Sequence, residues 1–194
     1  MVTVTECTTL GKGRLRFHLD NGTELVLYRG EAKQFRMREG STLSDEEEHQ
    51  LIYEVVGKRA KRRTMHLLEQ MDRTEQQLRE KLKQGGYPQA CIDLALEYVK
   101  SFHYVDDYRY ACTYINYRQD RMSRYQLKVK LYGKGVSGEL IDRALEECYE
   151  GDEQDQIIRL LEKKKFDAQN SDPKEFTRVY QYLMRRGFRS NDVL

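Results

Sequence analysis

The sequence lacks the features that mark most catalytic and metal-binding chains. Its four cysteines, at 7, 91, 112 and 148, form no C-x-x-C pair, and no histidine stands at zinc-ligand spacing. Cys91, Cys112 and Cys148 fall among apolar positions of predicted helices and read as buried small hydrophobes in a reducing compartment. No glycine-rich loop followed by Lys and Ser or Thr is present, which argues against phosphate-loop chemistry. No serine or cysteine has a positioned base at a spacing that suggests a nucleophile. The acidic pair Asp106-Asp107 opens a predicted helix, where capping and the helix dipole explain it better than catalysis. These absences lead us to expect a protein that is no enzyme and uses no cofactor or metal. A basic-then-apolar leading segment is missing, and no apolar run approaches the ~18 residues of a membrane span. A cytoplasmic protein is expected, with no membrane partner.

A large net charge is also missing, at only +2 over 194 residues. The charge is nevertheless segregated. Residues 58–63 read KRAKRR, residues 118–134 carry six basic residues against Asp120, and residues 146–155 carry six acidic residues and no basic one. Such segregation suits an anionic partner on one face, although solvated helix surfaces also produce charge runs. Hydrophobic residues make up 39% and charged residues 34%, polar for a single globule but suited to small helical units stacked in a row.

What is present begins with strands. Val2–Thr5, Arg14–Leu19 and Thr23–Tyr28 alternate or are β-rich, and Asn21-Gly22 between the last two predicts a type I′ hairpin turn. Gly11-Lys12-Gly13 reads as another turn. A small sheet of two or three strands is expected within residues 1–40. From Ser44 the pattern is helical. Ser44 and Glu47 form a capping box, and Gly57 weakens the middle of what is either a kinked rod or two helices over 44–71.

An internal repeat follows. Leu78, Leu82, Gly86, Ile92 and Leu96 recur 49 residues later as Leu127, Leu131, Gly135, Ile141 and Leu145. A further 52 residues bring Leu127, Leu131, Gly135 and Ile141 to Val179, Leu183, Gly187 and Val193. A period of this size signals tandem supersecondary units. Each unit predicts three helices, with a left-handed glycine, a packed apolar residue and a capping or helix-starting residue between the second and third. The expected architecture is mostly α: tandem three-helix repeats forming an elongated curved array. A linker helix and repeat one are expected over 44–103, repeat two over 104–150, and repeat three over 152–194 with an incomplete third helix.

Matching basic residues occupy matching positions, Arg79 with Lys128 and Lys81 with Lys130, and Arg79 and Lys83 share one side of their helix. The candidate contact residues are Arg79, Lys83, Arg118, Arg121, Arg124, Lys128, Lys130 and Lys134. Fourteen tyrosines crowd towards repeat two, where Tyr117, Tyr125 and Tyr132 are interleaved with the basic residues. Rings among cations can stack on bases, while a core-edge tyrosine is the plainer reading of any one ring. Repeat two is expected to carry the contact, with Lys163 and Lys164 as bystanders.

Three segments carry a family resemblance. They are residues 72–82, which begin Asp72-Arg73-Thr74-Glu75, then Tyr104-Val105-Asp106-Asp107-Tyr108-Arg109-Tyr110-Ala111, then Lys134-Gly135-Val136 with Ile141 and Ala144-Leu145. In this order, on a three-helix repeat, they resemble the RecX family over roughly residues 58–194. The resemblance implies a modulator of the RecA recombinase that binds the RecA filament on single-stranded DNA. It also implies inhibition of the filament's ATPase, strand-exchange and coprotease activities, with no catalytic residues to carry over. The protein is expected to act as a monomer and to bind bare DNA weakly. The alternative is a direct DNA-binding protein with helix-turn-helix-like units.

Overall fold

The computed structural model describes residues 1–167 and 170–193. The chain divides into two compact units, Met1–Asp106 and the residues from Asp107 onward.

The first unit opens with strands β1 (Val2–Gly11), β2 (Arg14–Leu19) and β3 (Glu24–Tyr28), then helix α1 (Arg29–Gln34) and strand β4 (Thr42–Leu43). The sheet is antiparallel in the order β3-β2-β1-β4, so it has one strand more than the sequence led us to expect. Its two hairpin turns divide the conformations differently from expectation. Lys12 (φ +50°) and Gly13 (φ +71°) both take the positive φ that a type I′ turn demands. At Asn21-Gly22 only Gly22 is left-handed (φ +81°). The Gly22 amide donates to the Leu19 carbonyl (3.0 Å) and the Leu19 amide to Thr23 (2.9 Å), as in a three-residue loop with a left-handed glycine. Asn21 instead accepts from the Thr23 amide through Oδ1 at 3.0 Å, so its side chain braces the loop.

Ser44 caps α2 (Asp45–His49) as expected, its Oγ accepting from the Glu47 amide while Glu47 accepts from the Ser44 amide. The rod then continues without a break through a π-helical segment (Gln50–Gly57) into α3 (Lys58–Gln70). Gly57 is buried, and a Cβ there would lie 2.8 Å from Leu94 Cδ2 and 3.0 Å from the Ile52 carbonyl. The glycine therefore permits close packing of the next layer; it does not end the helix. That layer is α4 (Glu75–Gln84) and α5 (Gln89–Ser101). Phe17, Leu25 and Leu27 of the sheet share one buried core with Leu51, Leu78, Leu82 and Ile92. At ~1.5–3 kcal/mol per fully buried side chain, this shared core stabilises a sheet that would be marginal alone.

The second unit contains α6 (Asp107–Arg118), α7 (Arg124–Tyr132), α8 (Gly138–Cys148), α9 (Glu153–Lys164), α10 (Pro173–Arg185) and the single turn α11 (Ser190–Val193). Ala111, Ile115, Leu127, Leu131, Ile141, Ala144 and Leu145 form one core. Ile157, Val179, Leu183 and Phe188 form a smaller one. The apolar spacing of the sequence thus selects the buried faces. The linking glycines behave as expected: Gly86, Gly135 and Gly187 are left-handed, at φ +76°, +84° and +81°. The amide that follows each one returns to a leucine carbonyl, as Val136 does to Leu131 at 3.2 Å.

One cysteine reading needs correction. Cys112 of α6 and Cys148 of α8 are joined in a disulfide, with Cα atoms 5.6 Å apart, and are only partly buried. Both were expected as lone buried thiols; 36 residues of sequence conceal that α6 and α8 pack side by side. Cys91 does fit that description. It is fully buried, its Sγ donates to the Ile52 carbonyl at 3.2 Å, and burial pushes its thiol up to about 12.

Candidate partner and nucleic-acid interface

The helix-start residues set where the basic side chains lie. Thr74 Oγ1 accepts from the Gln77 amide (3.2 Å) and Ser123 Oγ from the Gln126 amide (3.2 Å), so α4 and α7 begin in the same way. From these starts Arg79 and Lys128 project from equivalent positions. Both meet a carboxylate 14 residues further on. Arg79 bonds Asp93 at 2.6 Å and Glu75 at 3.2 Å, and Lys128 pairs with Asp142. Asp93 raises Arg79 above its ordinary value, and Arg79 holds Asp93 below its own. In both repeats the pair joins the second helix to the third. Part of the matched basic ridge is therefore taken up by ion pairs between helices at the surface.

The other candidates separate into groups. Arg118 and Lys134 both lie against the Tyr114 ring, at 5.7 and 5.3 Å from its centre. Arg124 lies 5.9 Å from the Tyr149 ring, and its backbone amide donates to Glu153 at 2.7 Å. Lys130 is exposed on α7. Lys83 lines a cavity of about 750 Å³ in the first unit, which Glu24, Asp45 and Glu48 also line. Arg121 lies in the turn after α6 and shares a cleft with Lys163 and Lys164 of α9. The run at 58–63 is partly structural as well. Lys58 pairs with Glu54, Arg59 pairs with Glu31 and lies between the Tyr28 and Tyr87 rings, and Lys61 sits 5.0 Å from the centre of Tyr98.

Family models for the first, second and third three-helix domains of RecX match residues 60–98, 106–145 and 151–194. The chain belongs to the RecX family. The Regulatory protein RecX of Caldanaerobacter subterraneus subsp. tengcongensis is 29% identical over 159 residues, covering 81% of this chain and 78% of that one. That of Geobacillus kaustophilus is 33% identical over 159 residues, 80% of this chain and 59% of the relative, so the match spans about three fifths of that protein. That of Clostridium acetobutylicum is 26% identical over 204 residues, covering 99% and 92%. A crystal structure of a regulatory protein RecX shares the fold at TM-score 0.65 and 20% identity, over 99% of this chain and 97% of that one. RecX from Lactobacillus salivarius does so at 0.63 and 17%, over 71% and 92%.

In this RecX-family chain the junction between repeats two and three is held by specific bonds. Ser123 Oγ, already accepting at the start of α7, donates to the Arg186 carbonyl at 2.6 Å. Gln156 is buried and its Nε2 donates to the Gln119 carbonyl at 2.6 Å. Gly187 lies against the Tyr125 ring, which a Cβ would strike. These bonds bring the turn after α6 beside α9 and the end of α10. Lys163, Lys164, Arg159 and Arg186 were not among the sequence candidates, because the repeat offset shows which residues are equivalent and says nothing about which face each other across a junction. Among the described residues no group of three or more His, Cys, Asp or Glu is arranged to hold a metal, and no helix is long and apolar enough to cross a membrane.

Proposed function

We propose that this chain regulates the RecA recombinase by binding the RecA filament on single-stranded DNA, lowering its ATPase, strand-exchange and coprotease activities. The observation that carries the reading is the row of three RecX three-helix domains along one chain, whose curated relatives are named regulatory proteins. The chain works as a binding protein in the cytoplasm, without chemistry of its own. Cationic surface on the second unit supplies attraction to DNA phosphates or to acidic protein surface. The test follows ATP hydrolysis by RecA on single-stranded DNA while the purified chain is added. Hydrolysis should fall at substoichiometric ratios. Unchanged hydrolysis at an equimolar ratio, with RecA from the same source, sinks the reading.

A further inference from the structure

We infer that the cleft between the α6–α7 turn and helices α9 and α10 is a site for the backbone phosphates of single-stranded nucleic acid. The inference narrows the proposed function to one surface and rests on it only for the source of the phosphate.

The cleft is about 700 Å³. Arg121 enters it from the α6–α7 turn, Arg159, Lys163 and Lys164 from α9, and Arg186 from just beyond α10. Among the described residues, Asp120 is the single carboxylate in the lining. Five cations against one acid in a walled space focus a positive potential. At the junction of second and third helices, Arg79 in repeat one and Lys128 in repeat two each meet a carboxylate. Among the described residues, Arg121, Lys163, Lys164 and Arg186 make no ion pair, and Arg159 reaches Asp155 only at 4.0 Å. Two of the cations are also held in place. The Lys164 ammonium lies 4.2 Å and the Arg186 guanidinium 4.9 Å from the centre of the Tyr182 ring. Cation–π contact restrains both side chains before any ligand arrives, which lowers the ordering cost of binding. Arg159 and Lys163 stand one helical turn apart on the same face of α9, so successive anionic groups can be met along the helix.

A polymer of phosphates satisfies this array better than a single anion, because cations from three separate segments converge on it. The test uses the full chain and a fluorescein-labelled oligothymidylate, with binding read by anisotropy across a salt series. Arg121→Glu with Lys163→Glu takes one cation from each wall. Arg121→Gln with Lys163→Gln removes the charges without reversing them, and circular dichroism checks both for folding. Lys33→Glu with Arg38→Glu, exposed in the first unit, is the charge-matched control. The cleft variants should bind at least about tenfold more weakly, roughly 1.4 kcal/mol. Their log–log salt slope should be shallower by about 1.4, at ~0.7 per lost single-strand contact. The control should change by less than about twofold. Equal loss in the cleft and control pairs shows that net charge alone acts, and overturns the site. So does ATP displacing the oligonucleotide at matched phosphate concentration, which assigns the cleft to free nucleotides. Cleft variants that bind DNA normally yet no longer inhibit RecA also overturn it and leave the regulator reading standing. Cleft-dependent DNA binding by a chain with no effect on RecA supports the site while the regulator reading fails.

Discussion

Repeats one and two place opposite charges at one position of the same framework. Glu75 begins α4, and 49 residues on Arg124 begins α7. Glu75 is drawn inward by Lys100 at 2.8 Å and Arg79 at 3.2 Å. Arg124 has the Tyr149 ring where repeat one has Lys100. Repeat one thus pairs Glu75, Arg79, Asp93 and Lys100 with one another and shares its apolar core with a sheet. The second unit splits its interior into two smaller cores and leaves cations along the junction between its repeats. Side chains matched with a counter-charge hold helices together, and those left unmatched remain available to a partner.

The sharpest way to break this comparison is at the linking glycines. Gly86 lies against Val26 of the sheet, and Gly187 against Tyr125 of the preceding repeat. Each is left-handed, so Gly86→Val and Gly187→Val add backbone strain of ~1–2 kcal/mol to an overpacking cost of ~1–3 kcal/mol. Hydrogen exchange should show protection lost in β3 and α4 for the first variant, and in α7 and α10 for the second. Unchanged protection around Gly187 would show that repeats two and three do not depend on this contact.

A smaller effect separates the units by redox state. Reducing Cys112–Cys148 should lower the stability of the second unit by about 2–4 kcal/mol and leave the first unchanged. The Cys112→Ser, Cys148→Ser double variant should match the reduced protein in urea unfolding. Loss of all α6 protection on reduction would mean that the apolar core of repeat two is insufficient by itself.

The smallest effect belongs to repeat one. The Lys100 hydrogen bond, opposed by partial burial and aided by Arg79, holds the Glu75 carboxyl below its ordinary value. A depressed folded value means the stabilisation is present above the ordinary glutamate range and lost as pH falls through the lowered one. The pair is partly exposed, so the contribution is below about 1 kcal/mol. Glu75→Gln should therefore be less stable than the parent near neutral pH, and the gap should close as the pH falls through the lowered glutamate value. A gap that persists in acid points to lost packing instead of lost charge.

Much of this arrangement was legible in the sequence. Ser44 with Glu47, the linking glycines and the leucine stripes act through neighbours a few residues away, and short-range periodicity reports such neighbours directly. The hairpin turns were only half legible. Asn21-Gly22 is the stronger local signal, yet the side-chain bond from Asn21 and the strand register favour a three-residue loop there. The Cys112–Cys148 bond and the meeting of Arg121 with Lys163 depend on which helices lie side by side. Repeat alignment places residues at equivalent positions and does not report contacts between different positions.

The π-helical stretch at Gln50–Gly57 has its own consequence for how such a chain can vary in length. An i→i+5 turn takes up one residue more than an α-turn for the same revolution. Inside α3, gaining or losing one residue rotates everything beyond it by about 100°, swinging Ala60, Thr64 and Leu67 away from the core. Within the wider coil, the backbone can rewind to absorb the change while the downstream face keeps its phase. Along this rod, residue number and angular position are therefore uncoupled at one place, and that place lies between the sheet and the first repeat.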